Sequence, residues 1–300
     1  MTSRQKKSGV KSGDTSGVWV FPWSTDQSTQ VLADIKQRNL SPPWLKKSLK
    51  NTITCILSLY ETTNIKLPSI VPSRVAGKSQ TENSKYCKLT ATQLSWSALC
   101  PMRRYQILTQ CGQVEYTTPL YVEKMKGYHD KVTNLVVKSL NEALCDRVIT
   151  YAREKEFQLT YYGNKVVYLI RGRPDYFALL KTKKGPVALV VEVTLLDTVR
   201  HLKGEMSFYM ASAVYYTSAP VIGLVIYNKG IRWLSGTSVT ELKCEGKVAR
   251  DKFDLERTFN WVMSEPEEPE ERAEQVFKKI KWACSNCDMM NTCPVYSVNM

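Results

Sequence analysis

Residues 165–209 constrain the fold more than any other stretch of the chain. KVVYLI is followed by RGRPD, then by YFALLKTKKGPVALVVEVT, and then by HLKGEMSFY. Two apolar strands flank a short polar hairpin, and a helix is expected to follow. One acid, Asp175, stands where a glycine–proline turn becomes a strand, and another, Glu192, interrupts the apolar run ALVVEVTLL. A carboxylate inside such a run is costly to bury unless something cationic meets it. Two acids brought together by one hairpin suit a divalent cation, and oxygen donors favour Mg2+ or Mn2+.

The remaining chemistry must be compatible with that block. The 300 residues carry a formal charge of +14 and a pI near 9.3, which favours a polyanionic partner over a membrane surface. No apolar run reaches the length of a membrane span, and MTSRQKKSGVKSGDTSG lacks the apolar stretch of a secretory signal. A cytoplasmic location is expected. The 7 Trp and 16 Tyr argue against wholesale disorder. Neither GxxxxGK[ST] nor a convincing GxGxxG is present, which argues against an ATPase or dinucleotide enzyme.

Along the chain, residues 1–18 read as a basic flexible tail, and 19–40 hold VWVFPW and a short helix candidate. SPP at 41–43 starts a helix with an apolar stripe of Trp44, Leu45, Leu49, Ile53, Ile56 and Leu57. Residues 64–90 read as a linker. Thr90 or Thr92 is expected to cap a helix ending near Cys100-Pro101. Residues 119–156 predict one long helix or two, with His129 turned towards its apolar face. APVIGLVIYN (219–228) predicts a buried strand with GIRWLSG as its hairpin partner, and 254–264 and 269–285 predict helices. Three segments result: a tail and helical extension over 1–90, a core over 91–265, and a C-terminal helix with cysteines over 266–300.

Nine cysteines are present, and Cys284, Cys287 and Cys293 crowd the last 17 residues as C-x2-C-x5-C-P. Without an export signal, metal or cluster binding is favoured over a disulfide framework. Three thiolates need a fourth ligand, for which Cys100, also followed by proline, is the best candidate. An iron–sulfur cluster fits one CxxC with a distant lone cysteine better than zinc does, and zinc is the alternative.

GRPD (172–175), VVEVT (190–194) and an ExxxY helix (205–209) together resemble the PD-(D/E)XK nuclease core. GYHD (127–130) resembles the upstream histidine motif of the RecB-like branch. Cys100-Pro101 with the terminal cysteines resembles its iron–sulfur members, including AddB-type nucleases and the CRISPR-associated RecB-like exonuclease family, the fourth Cas protein and its longer archaeal relatives. The likeness covers roughly residues 95–300. It implies an α/β (α+β) fold with a mixed sheet flanked by helices, a helical N-terminal extension and a C-terminus pinned by the cysteine cluster. It implies metal ligation by His129, Asp175, Glu192 and the carbonyl of Val193. It implies a 4Fe-4S cluster on Cys100, Cys284, Cys287 and Cys293. Tyr209 falls at the tyrosine of the family's QxxxY motif.

Two residues depart from the pattern. Thr194 replaces the motif lysine, which would stabilise charge on the phosphate, and Glu205 replaces the glutamine of QxxxY. Lys203 or Lys183 would have to substitute for the missing ammonium. Arg103, Arg104, Arg171 and Arg173 are the cations nearest the motifs. The expected activity is metal-dependent cleavage of DNA, as an exonuclease on single strands or ends, with partners among CRISPR adaptation or repair proteins and no membrane. The alternative is a catalytically degenerate DNA-binding or assembly subunit with a structural iron–sulfur or zinc site.

Overall fold

The computed structural model describes residues 42–75, 85–111, 120–164, 166–194, 201–227, 230–235, 248–284, 287 and 293–299. The elements expected within 1–40 lie outside the described residues. The fold is α+β, with two mixed sheets, flanking helices and a helical N-terminal region.

The larger sheet has six strands in the order β2 (Val148–Arg153), β5 (Tyr176–Thr182), β6 (Gly185–Val193), β7 (Val221–Tyr227), β8 (Gly230–Ser235) and β9 (Val248–Lys252). The β5–β6 hairpin is antiparallel, turning at Thr182–Gly185, with Gly185 at φ 106°. β6 and β7 are parallel, so a crossover must join them, and α5 (Leu202–Thr217) is that crossover. Helices cover both faces of this sheet, which is why β6 and β7 read as nearly continuous apolar runs. Val187, Leu189, Val191 and Val193 face a core shared with α1 (Pro42–Thr62) and α4 (Leu120–Leu144). Ala188 and Val190 face the opposite core, beside Met206 and Met210 of α5.

The smaller sheet is β1 (Lys85–Thr90), β4 (Val166–Gly172) and β3 (Phe157–Tyr162), with β1 parallel and β3 antiparallel to the central strand. Thr90 ends β1 and caps α2 (Ala91–Leu99). Its side chain accepts from the Gln93 amide while the Gln93 side chain accepts from the Thr90 amide. Pro101 cannot extend α2 by hydrogen bonding, and it opens α3 (Pro101–Thr109) instead. The remaining helices are α6 (Leu255–Val262), α7 (Pro269–Cys284) and α8 (Pro294–Asn299).

Three expectations change. Residues 85–90 form β1, although 64–90 reads as a linker. The alternation of KYCKLT, with Cys87 and Leu89 buried and Lys88 exposed, is a short strand signal among linker-like neighbours. Helix α4 ends at Leu144, and 148–153 form a strand where a helix was expected to continue. Val148, Ile149, Thr150 and Tyr151 are β-branched or aromatic, and this local preference overrides the helical spacing that Val148 completes. Cys87 and Cys111 form a disulfide joining β1 to the end of α3. Nothing in their spacing marked them as a pair against the preference for metal binding.

Two glycines allow the closest approaches. A Cβ on Gly172, the glycine of GRPD, would lie 2.4 Å from the Ala91 Cβ and 2.9 Å from the Tyr209 ring. A Cβ on Gly204 would lie 2.0 Å from the Leu94 carbonyl oxygen. Both seat α2 against the start of α5, and so fix where Glu205 and Tyr209 stand.

Candidate metal centre and cysteine clamp

Three elements converge at one end of the β5–β6 hairpin. α4 carries His129, the turn before β5 carries Asp175, and the end of β6 carries Glu192 and Val193. The His129 Nε2 lies 2.9 Å from the Val193 carbonyl oxygen and 3.6 Å from Asp175 Oδ2. The Val193 amide donates to Asp175 Oδ2 at 2.7 Å, and the Asp175 amide approaches Glu192 Oε2 at 3.4 Å. The four donors that the sequence resemblance singles out are thus brought together and bonded to one another.

Strand alternation sends Glu192 to the α5 side of the sheet, towards Glu205, whereas the Val193 side chain is on the α4 side. Glu205 accepts from Ser95 Oγ at 2.8 Å and sits 2.9 Å from the Tyr209 hydroxyl. That hydroxyl lies 3.0 Å from the Arg173 carbonyl oxygen, within GRPD. A phenol has one proton for these two acceptors. A protonated Glu205 donating to the phenol oxygen, with the phenol donating to Arg173, satisfies every partner.

The electrostatics agree. Burial raises the Asp175 pKa, opposed by His129 and the Val193 amide. Burial pushes Glu192 well above the usual carboxylate range, and Asp175 and Glu205 push it further. Burial also raises Glu205, opposed by its hydrogen-bond partners Ser95 and Tyr209. Three buried acids with two cationic influences, His129 and Arg153 on Asp175, form an electron-rich pocket. Such a donor set fits a hard divalent cation, whose charge would remove the repulsion among the acids. Among the described residues, no three His, Cys, Asp or Glu side chains stand in a metal-holding group as they are.

Thr194 is buried and its amide donates to the Ile226 carbonyl at 2.8 Å. Lys183 sits at the turn end of the hairpin, where its amide donates to Glu61. Eight strand steps separate it from Asp175, about 26 Å at the usual strand rise, so it cannot replace the motif lysine. Lys203 stands two residues before Glu205, half-buried. His201 precedes α5, where burial lowers its pKa to about 4.

The cysteines form a second cluster. Cys100, at the start of α3, packs with Cys284, Cys293 and Tyr296 around Ala273, Phe277 and Val295. The Cys287 amide donates to the Cys284 carbonyl at 3.1 Å, folding the C-x2-C turn back on α7. Burial pushes the Cys284 pKa up to about 12, with Cys100, Cys287 and Cys293 each adding to the rise. Cys284 thus stands close enough to Cys100, Cys287 and Cys293 for each to act on it, and such thiols would serve as thiolate ligands to a cationic metal or cluster, although among the described residues no three of them make a metal-holding group as they stand.

Arg103 and Arg104 are buried beside the cysteine cluster, where the Arg103 amide and charge both act on the Cys100 thiol. Arg103 is 1% exposed and donates to Gln106. Arg104 is 3% exposed, donates to the Trp261 carbonyl and lies 4.4 Å from that residue's ring centroid. Arg173 is exposed and paired with Glu156 at 2.7 Å. The pairing of Ser95 with Glu205 lay beyond sequence reasoning, since a serine one turn before a Cys-Pro boundary carries no signal of its own.

Among the described residues, no helix is long and apolar enough to cross a membrane. No family model matches this chain, and no curated protein is similar to it. Among solved structures, the crystal structure of SSO0001 aligns at 15% identity over 70% of this chain and 86% of that one, with a TM-score of 0.37. A likeness at that score carries no argument for family or activity, and the RecB-like resemblance rests on the motif residues themselves.

Proposed function

We propose that this protein is a metal-dependent DNA nuclease of the RecB-like PD-(D/E)XK type, acting on single strands or ends. The observation that carries the reading is the meeting of His129, Asp175, Glu192 and the Val193 carbonyl from three separate elements. Mg2+ or Mn2+ on these donors would polarise a scissile phosphate and lower the pKa of bound water. The protein's own residues do the positioning. Asp175 takes the Val193 amide and so sets the carbonyl beside His129. The Tyr209 hydroxyl donates to the Arg173 carbonyl and holds the turn that presents Asp175. Cys100, Cys284, Cys287 and Cys293 would hold a 4Fe-4S cluster, which would serve a structural role, with its ligands joining α7 and α8 to α3.

A second reading is supported by Thr194. A threonine where the family has a lysine leaves the developing phosphate charge without an ammonium, a loss on the scale of about 3 kcal/mol for one electrostatic contact. On this reading the chain is a degenerate nuclease retained for DNA binding or for assembly with CRISPR adaptation or repair proteins. Degradation of end-labelled single-stranded DNA in manganese, by anaerobically purified wild type and Asp175→Ala, decides between the two. Cutting by wild type alone supports the nuclease. Binding without cutting by either protein supports the degenerate subunit.

A further inference from the structure

We infer that Tyr151 and Arg153 of the edge strand β2, with the exposed row of α4 beside them, form a track that holds one unpaired nucleic-acid strand against the His129–Asp175 site. This rests on the reading of that site as a phosphodiesterase centre.

The argument begins with the edge. Among the described residues, β2 pairs only with β5 in the six-stranded sheet, and its register shifts between Val148 and Thr150. After that shift Tyr151 lies opposite Ala178 and Arg153 opposite Tyr176. Ala178 and Tyr176 belong to the core on the α4 side, so Tyr151 and Arg153 point to that side too. Helix α4 does not cover them, and Tyr151 is 53% exposed. Its ring stacks on Tyr176, with centroids 6.1 Å apart and planes 20° from parallel. Tyr176 is itself fixed by a hydrogen bond from its hydroxyl to Asn141 at 2.9 Å. A rigid, half-exposed ring backed by a second ring is a platform on which a base can extend the stack.

The cations lie along the same line. α4 and β2 run in opposite directions across the turn at 145–147. The Arg153 guanidinium donates to Asn134 on α4. Asn134 shares an exposed row with Lys131 and Lys138, at helical spacings of three and four. Glu154 lies 3.4 Å from Arg153 and is the acid that answers it. Arg153 pairs with Tyr176, the residue after Asp175, so it stands one position along the sheet from the site, with Glu154 beside it. The track therefore offers a ring for a base, cations for phosphates and a direct lead to the acids. An unpaired strand is the occupant that fits, because a paired base has both faces covered within the duplex.

The test uses the full chain in EDTA, so that nothing is cut, with a fluorescent single-stranded oligonucleotide and its duplex. Tyr151→Ala is expected to weaken single-strand binding about tenfold, the scale of one lost base stack, and to leave duplex binding unchanged. Tyr151→Phe keeps the ring and is expected to bind as wild type. Arg153→Gln is expected to lower the slope of log affinity against log salt by about one. Photocrosslinking of an iodouridine-labelled strand should place the adduct on β2. Unchanged affinity in Tyr151→Ala and Arg153→Gln overturns the track, as does an equal loss on single strand and duplex. Cleavage that survives such unchanged affinity leaves the nuclease reading standing alone. Tyr151-dependent binding without any cleavage in manganese leaves the track standing and sinks the nuclease reading.

Discussion

The Nε2 of His129 lies 2.9 Å from the carbonyl oxygen of Val193. A carbonyl only accepts, so this nitrogen carries the proton and has no lone pair to offer. To ligate a cation, His129 must move its proton to Nδ1 or turn its ring. The buried acids beside it also hold protons more tightly than ordinary carboxylates. His129, Val193, Asp175 and Glu192 are thus linked to one another by hydrogen bonds.

Binding of Mn2+ should therefore release protons. Calorimetric titration near pH 6 in buffers of different ionisation enthalpy should give enthalpies that depend on the buffer. Asp175→Ala should abolish the binding, and His129→Ala should weaken it by about 10- to 100-fold, the range seen when a metal site loses a supporting group. Buffer-independent enthalpy would show that the acids are already ionised.

Stability without metal should fall as pH rises. For Asp175, Glu192 and Glu205 the folded pKa lies above the unfolded one. Their neutral forms favour folding, and that contribution is complete below about pH 4, the ordinary carboxylate range. It is lost as pH climbs through the raised values, because the unfolded chain ionises first. Glu192→Gln should flatten this slope in denaturant titrations and raise the stability at pH 8. Mn2+ should stabilise wild type more at pH 8 than at pH 5.

His201 should act in the opposite direction. Its folded pKa of about 4 lies below the ordinary histidine value of 6.5. Its contribution is complete above pH 6.5 and is lost as pH falls towards 4, because only the unfolded chain takes the proton. His201→Gln should remove that acid-side loss, read by thermal unfolding at pH 7 and pH 5.

Gly204→Ala should be among the most damaging changes outside the site. Its Cβ would meet the Leu94 carbonyl oxygen at 2.0 Å, and backbone cannot give way as a flexible side chain can. A loss of about 3 kcal/mol or more is expected in urea unfolding, at the upper end of overpacking costs. The same shift would pull Ser95 from Glu205, so metal affinity should fall as well.

Protein purified anaerobically should show the broad visible absorption of an iron–sulfur cluster, and Cys284→Ser should lose it. Limited proteolysis should then cut near α8, whose tie to α3 runs through Cys100 and Cys293. Stoichiometric zinc in a colourless protein would assign the thiols to zinc instead.

Much of this was legible because it is local. The β5–β6 hairpin, the β7–β8 pair and the Thr90–Gln93 capping box follow from alternation, turn residues and caps within a few positions. The candidate donors were visible too, since acids within apolar runs stand out against their neighbours. The strand at 148–153 was hidden because Val148 completes a helical stripe, and only pairing with β5 settles its conformation.

What the chain alone determined is which residues could meet: His129, Asp175 of GRPD, Glu192 of VVEV, and the four cysteines Cys100, Cys284, Cys287 and Cys293, two of them followed by proline. Tertiary structure decided how they meet. It buried Arg103 and Arg104, sent Lys183 to the far end of its hairpin, and paired Glu205 with Ser95 across 110 positions. The physical reason is that burial and hydrogen-bond partnership belong to surfaces brought together from distant parts of the chain. No periodicity within a window of residues records which surfaces those will be.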